Sequence, residues 1–267
     1  MIQSIIMSMK NSPNYTHTVR RLHARMRSNS TVGARLIKAV FFDFYGTLAG
    51  FNPPKEKVQA QAMRNSGFTP NLEGIAKGYL DADELMSKVN SSPTPITRMP
   101  HKEKLEFFAK YEQLILRGAG IEANLETAQL VWSKVQEIPY GFAVFDDVLP
   151  TLDLLRSKGL TVGIISNIGG NAPNITEQLG LRDKVDFIVT SQDAGIGKPH
   201  LPIFRLSLAR AGVKAEEAIH VGDSPISDIE GAINAGITPL LIDREGLLSE
   251  YRTCPRIVSI REVIGHL

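Results

Sequence analysis

Between Asp147 and Ile242 the chain alternates two patterns with a regular rhythm. Asp147–Lys158, Ala172–Leu179, Leu201–Ala211 and Ser227–Ala235 carry helical periodicity, and a glycine follows each of them: Gly159, Gly180, Gly212 and Gly236. Glycine just past the last turn is a helix stop signal, because it accepts the left-handed conformation there without a Cβ penalty. Between and after the helices lie Leu160–Ser166, Phe187–Ser191, Ala218–Gly222 and Pro239–Ile242, which are short, apolar and β-rich. Strands that alternate with helices predict a parallel sheet covered on both faces, an α/β doubly wound fold. Few other architectures accommodate this order.

One further strand signal, Ile37–Phe42, stands far upstream. The intervening stretch has a different character. Lys55–Asn65, Leu72–Ser87, His101–Leu116 and Leu125–Val135 each show helical periodicity, and no strand is expected among them. The expected division is a core domain of residues 37–51 and 138–267, interrupted by an all-helical cap domain of residues 52–137. Residues 50–54, Gly-Phe-Asn-Pro-Pro, read as an irregular linker. In doubly wound sheets ligands bind at the carboxyl ends of the strands. The insertion leaves from such an end and should overhang the site.

Each predicted strand ends in polar residues. The first runs into Asp43-Phe44-Tyr45-Gly46-Thr47-Leu48, and the second ends in Ser166-Asn167. The third leads to Gly197-Lys198-Pro199, and the fourth to Gly222-Asp223-Ser224 with Asp228 five residues past Asp223. This ordered set resembles the haloacid dehalogenase-like hydrolase superfamily over about Lys38 to Ile242. The inserted helices resemble that family's first class of cap. Gly195-Ile196-Gly197-Lys198 is not a nucleotide-binding loop: Gln192 and Pro199 stand where that motif needs Gly and Ser or Thr.

The resemblance implies a catalytic set of Asp43, Thr47, Ser166 and Lys198. Asp43 is a carboxylate nucleophile, a residue type that forms aspartyl-phosphate or aspartyl-ester intermediates. Thr47 and Ser166 would donate hydroxyl hydrogen bonds to the transferring group, with Tyr45, Gly46 and Asn167 lining the substrate. Lys198 would offset charge on nucleophile and phosphoryl oxygens. Two anions about 4 Å apart repel by roughly 4 kcal/mol at an intermediate dielectric. A bridging cation removes that cost, and Mg²⁺ suits a site of few carboxylates. Asp43, Asp223 and the backbone carbonyl of Tyr45 would hold it, with Asp228 a ligand through water or a support for the other ligands. The plainer alternatives are a turn-capping role for Asp43, a solvated surface lysine at 198, and a helix-dipole charge at Asp228.

Tyr45 departs from the pattern. The family's phosphatases carry a second Asp there, which protonates the leaving alkoxide and then activates water; such help is typically worth ~10²–10⁴-fold. Tyr at this position is similar to the 2-haloacid dehalogenases, whose halide leaves without protonation. Those enzymes work without metal and use an Arg soon after the first motif, whereas residues 49–54 contain none. A Mg²⁺-dependent phosphatase acting on a small phosphorylated metabolite is therefore expected. The alternatives are a dehalogenase-type hydrolase and a catalytically weak regulatory protein.

Composition limits the remaining readings. Net charge is +2, but residues 1–36 hold six basic residues and no acid, which leaves −4 on the rest. Basicity thus belongs to the leader, and no nucleic-acid partner follows from it. The leader resembles a mitochondrial transit peptide or a plain disordered extension. With one cysteine, Cys254, no internal disulfide can form, which fits a reducing compartment. A cytoplasmic location is expected, or mitochondrial if the leader is a targeting signal. No apolar run approaches the ~20 residues that span a bilayer, so the expected partner is a small-molecule substrate and not a membrane. The sequence is silent on oligomeric state.

Overall fold

The computed structural model describes residues 36–167 and 172–267. Most of the basic leader and the Gly169-Gly170 loop lie outside that range. The strands are β1 (Ala39–Phe42), β2 (Ala49–Asn52), β3 (Gly141–Val144), β4 (Thr161–Ser166), β5 (Phe187–Thr190), β6 (Ala218–Gly222), β7 (Thr238–Ile242) and β8 (Arg256–Ile257). Six of them form one parallel sheet in the order β5-β4-β1-β6-β7-β8. β1 lies centrally, with Ala39 opposite Thr161 on one side and Ala218 on the other.

The pleat of β1 divides the core. Val40 and Phe42 pack with Leu152 and Leu155 of helix α5 (Val148–Ser157) and with Ile260 and Val263 of a C-terminal 3-10 segment. Ala39 and Phe41 face the opposite way, onto Ile203 and Phe204 of α7 (Leu201–Ala211) and Ala232 of α8 (Gly231–Ala235). Because both faces are covered, the strand is apolar throughout and not alternating. The remaining core helix, α6, spans Ala172–Gln178.

Four helices intervene between β2 and β3: α1 (Lys55–Asn65), α2 (Leu72–Asn90), α3 (His101–Gly118) and α4 (Leu125–Glu137). They enclose a core of their own around Met63, Ile75, Ile115, Leu116 and Val131. Asn71 and Asn124 cap α2 and α4 by accepting the Gly74 and Thr127 backbone N–H groups, as short amide side chains do at helix starts.

Two local expectations need correction. Residues 50–52 are not irregular. They belong to β2, which pairs antiparallel with β3, Asn52 opposite Gly141. The partner lies almost ninety residues away, so no local pattern marks the ribbon. Its aromatic pairing does: Phe51 stacks on Phe142 at 5.4 Å. The segment 227–235 is not one α-helix either. Pro225–Glu230 forms a π-helical turn, and α8 follows. Such wide turns occur often at functional sites, and this one carries Asp228.

No helix among the described residues is long and apolar enough to cross a membrane.

Candidate active site

Strand order reverses about β1, so the crevice at its carboxyl end is where this architecture binds ligands. Asp43 is the residue after β1, held by its backbone N–H donating to the Val221 carbonyl at 2.8 Å. Ser166 ends β4, and Asp223 follows β6. Asp43, Asp223 and Asp228 each offer a carboxylate oxygen, and these atoms lie within 4.8 Å of one another.

Lys198 reaches into this cluster from the loop after β5. It is 2% exposed, so it is not a solvated surface lysine. Its ammonium donates to the Asp43 carboxylate and, at 2.6 Å, to Asp228. Burial alone would lower its pKa, but Asp228 and Asp43 raise it above the ordinary lysine range. Asp228 is pulled down to about 2: burial would raise it, and Lys198 and a hydrogen bond from His220 outweigh that. Asp43 is pushed up to about 6, because burial and the neighbouring Asp228 outweigh Lys198. Burial, Asp43 and Asp228 also hold Asp223 well above the carboxylate range.

Asp43 and Asp228 share one ammonium, and Asp223 beside them has no ion-pair partner among the described residues. The crevice therefore carries an excess of hard oxygen donors and negative charge that a divalent cation would balance. Thr47 adds a second observation. Its hydroxyl is buried and finds no hydrogen-bond partner among the described residues. The residues present fit a metal.

Glycines let the acids close. Gly46 has φ of +81°, and a Cβ there would sit 2.1 Å from the Asp223 carboxylate; a Cβ on Gly222 would sit 2.1 Å from the Asp228 carboxyl carbon. Asn167 is turned toward the protein. Its amide donates to the Lys198 carbonyl at 3.0 Å and accepts from the Lys198 N–H at 2.7 Å. It thus fixes the backbone that carries Lys198, in addition to standing beside Ser166. The Tyr45 ring packs edge-on against Phe51 at 4.7 Å. Burial, with Asp83 adding, drives its phenol well above the ordinary range.

Residues 37–236 match the haloacid dehalogenase-like hydrolase family. The chain belongs to that family. It is 32% identical over 214 residues to the glyceraldehyde 3-phosphate phosphatase of Methanopyrus kandleri, covering 78% of this chain and 85% of that one. A HAD-hydrolase of Bacillus subtilis solved with magnesium superimposes with a TM-score of 0.59 at 17% identity, over 87% of this chain and 99% of that one. The L-2-haloacid dehalogenase RSc1362 also superimposes at 0.59, with 19% identity over 86% and 98%. At these identities the superpositions speak to the fold alone, and both chemistries share it.

Several site residues of this haloacid dehalogenase-like hydrolase carry no motif. His220 is fully buried in β6, donates from Nε2 to Asp228 at 2.9 Å and leaves Nδ1 without a partner among the described residues. Burial lowers its pKa, which keeps the ring neutral. A histidine in an otherwise apolar strand was the available signal. Arg244 donates to the Thr47 carbonyl at 2.7 and 3.2 Å and pairs with Asp147 at 3.0 Å. It braces the loop after β1 from the end of β7, 197 residues away, and nothing local foretells that.

Proposed function

We propose that this hydrolase is a Mg²⁺-dependent phosphatase of small phosphate esters with Asp43 as nucleophile. The observation that carries the reading is the convergence of three carboxylates and a buried ammonium at the tips of β1 and β6. The phosphatase activity named for the Methanopyrus kandleri relative supports it, as does the magnesium bound to the Bacillus subtilis hydrolase. Asp43, Asp223, Asp228 and the Tyr45 carbonyl would hold the cation. When bound, it would offset the repulsion between an anionic nucleophile and an anionic substrate.

The protein groups have separable tasks. An Asp43 oxygen forms a bond to phosphorus, and the ester P–O bond breaks with its electron pair going to the leaving oxygen. Lys198 and the hydroxyls of Thr47 and Ser166 bind the equatorial oxygens as charge spreads over them. Water then attacks the same phosphorus and releases the proton that balances the one the departing alkoxide takes up, the bond to Asp43 breaks, and its carboxylate returns as inorganic phosphate leaves. The net change is ester plus water to alcohol plus phosphate. The four helices between β2 and β3, read as a cap of the family's first class, would exclude water from the first step.

Tyr45 favours a second reading, hydrolysis of a 2-haloacid, because halide departs without a proton. One paired assay separates the two. Acetyl phosphate is expected to turn over with Mg²⁺ and to stop with chelator, and Asp43→Asn should abolish turnover while the melting temperature is kept. Chelator-resistant halide release from 2-chloropropionate, with no phosphate release, would replace the first reading by the second.

A further inference from the structure

A cavity of about 140 Å³ opens between the inserted helices and the β2–β3 ribbon. Two of its lining residues connect it to the acids. Phe51 touches the Tyr45 ring, two residues from Asp43. Met86 precedes Ser87, whose hydroxyl lies 3.1 Å from that of Ser224, the neighbour of Asp223. By these two links the space borders the residues next to the acids, and the group leaving from a phosphorus at Asp43 would enter it.

The lining is aromatic to an unusual degree: Phe51, Tyr79, Phe108, Tyr111, Trp132 and Tyr140. Phe108 and Trp132 stack at 4.7 Å, and Phe51 and Tyr140 meet edge to face at 4.7 Å. Among the described residues, no carboxylate, amide or aliphatic hydroxyl side chain lines it. The two deepest tyrosines have already committed their protons, Tyr79 to Gln59 at 3.2 Å and Tyr111 to Asp83 at 2.6 Å. Among the same residues, Lys55 is the one charged side chain in the lining, 4.4 Å over the Tyr79 ring and 3.4 Å from Asp83. A polyol placed here would give up water for few partners, and unmet hydroxyls are costly to bury. A flat ring would meet ring faces and edges on several sides.

We propose that the ester taken by this site carries an aromatic ring on its leaving side, with one acceptor or anionic substituent directed to Lys55. The proposal rests on the phosphatase reading above and narrows its substrate class. Its chemistry is the hydrolysis already balanced there, with the aromatic alcohol as the departing group.

Benzyl phosphate and glycerol 3-phosphate both release alkoxides, so their ratio reports the pocket and not the ease of departure. The expected kcat/KM ratio favours benzyl phosphate by about ten-fold or more, the equivalent of one good aromatic contact. Phe108→Leu should move that ratio toward unity. Trp132 is the only tryptophan in the chain, so its emission reads occupancy without turnover. In the wild-type protein with Mg²⁺, benzylphosphonate should change the emission saturably and 2,3-dihydroxypropylphosphonate should not. Acetyl phosphate, which has no ring, tests the underlying chemistry. If it turns over while glycerol 3-phosphate equals or exceeds benzyl phosphate, the aromatic assignment is overturned and the phosphatase stands. Equal emission changes with both phosphonates would overturn it as well. If acetyl phosphate is not hydrolysed, the phosphatase reading falls and this one falls with it.

Discussion

At the scale of single residues, the site depends as much on atoms that are missing as on those present. Gly222 ends β6, and a methyl group there would overlap the Asp228 carboxyl group. Gly222→Ala must displace Asp228, and with it the Lys198 ammonium that bridges Asp228 and Asp43. A displacement near 1 Å in a catalytic array can cost ~10²-fold. Acetyl phosphate turnover is expected to fall about that far, with a stability loss of roughly 1–3 kcal/mol by denaturant titration. Unchanged kcat would mean that Asp228 has no part in holding Lys198. The charged members of the set were legible in the sequence, because each follows a strand signal and strand ends converge in this architecture. Their supports were not. His220 stands out as a histidine in an apolar strand, but its partner is hidden until Asp228 folds back onto it, and the Arg244–Thr47 contact joins residues far apart in the sequence. The inward turn of Asn167 onto the Lys198 backbone was equally invisible, since a strand-end amide can face ligand or loop with the same neighbours in sequence.

At the scale of elements, the helices were legible and the ribbon was not. α1 and α7 coincide with their predicted bounds, Lys55–Asn65 and Leu201–Ala211, because periodicity, proline and glycine act within a few residues. β2 and β3 are four residues each and pair only with one another across the whole helical insertion. The same helices carry a testable liability. Glu112 of α3 is fully buried, accepts from the Gln59 amide through one oxygen and leaves the other without a partner among the described residues. Burial pushes its pKa to about 8, against a smaller opposing effect of Gln59. The folded state thus keeps a proton that an unfolded chain releases near the ordinary glutamate value of about 4.3. Proton binding that favours the folded form stabilises it at low pH, and the benefit is lost as pH rises from there through about 8. Glu112→Gln cannot titrate. Its unfolding free energy relative to wild type should therefore rise by a few kcal/mol between about pH 5 and 8. Urea titrations of both proteins across that range measure the difference, and parallel curves would show that Glu112 is already ionised in the fold.

At the scale of the whole molecule, the inserted helices and the sheet touch through a small set of polar contacts above the site. The Ser87 hydroxyl meets Ser224 at 3.1 Å and Ser227 at 3.2 Å, the Asn90 carbonyl meets His200 at 3.1 Å, and Arg98 donates to the Gly195 carbonyl at 3.1 Å. Hydrogen bonds of this kind contribute only ~0.5–1.5 kcal/mol each, so separation of the two parts about the β2–β3 ribbon is energetically accessible. The cavity lies between those helices and the ribbon, so a bulky ester that reaches from it to Asp43 is expected to need such an opening to enter. Cysteines at positions 87 and 224 would stand within reach of a disulfide, given side-chain oxygens 3.1 Å apart. In a Cys254→Ser background, Ser87→Cys with Ser224→Cys should form that bond under oxidation. Turnover of benzyl phosphate should then drop at least about ten-fold and return on reduction, as gating by a closed lid requires. Acetyl phosphate is smaller and should lose less. An oxidised protein that hydrolyses both compounds as fast as the reduced protein does would show that substrate reaches Asp43 without separation of the helices from the sheet.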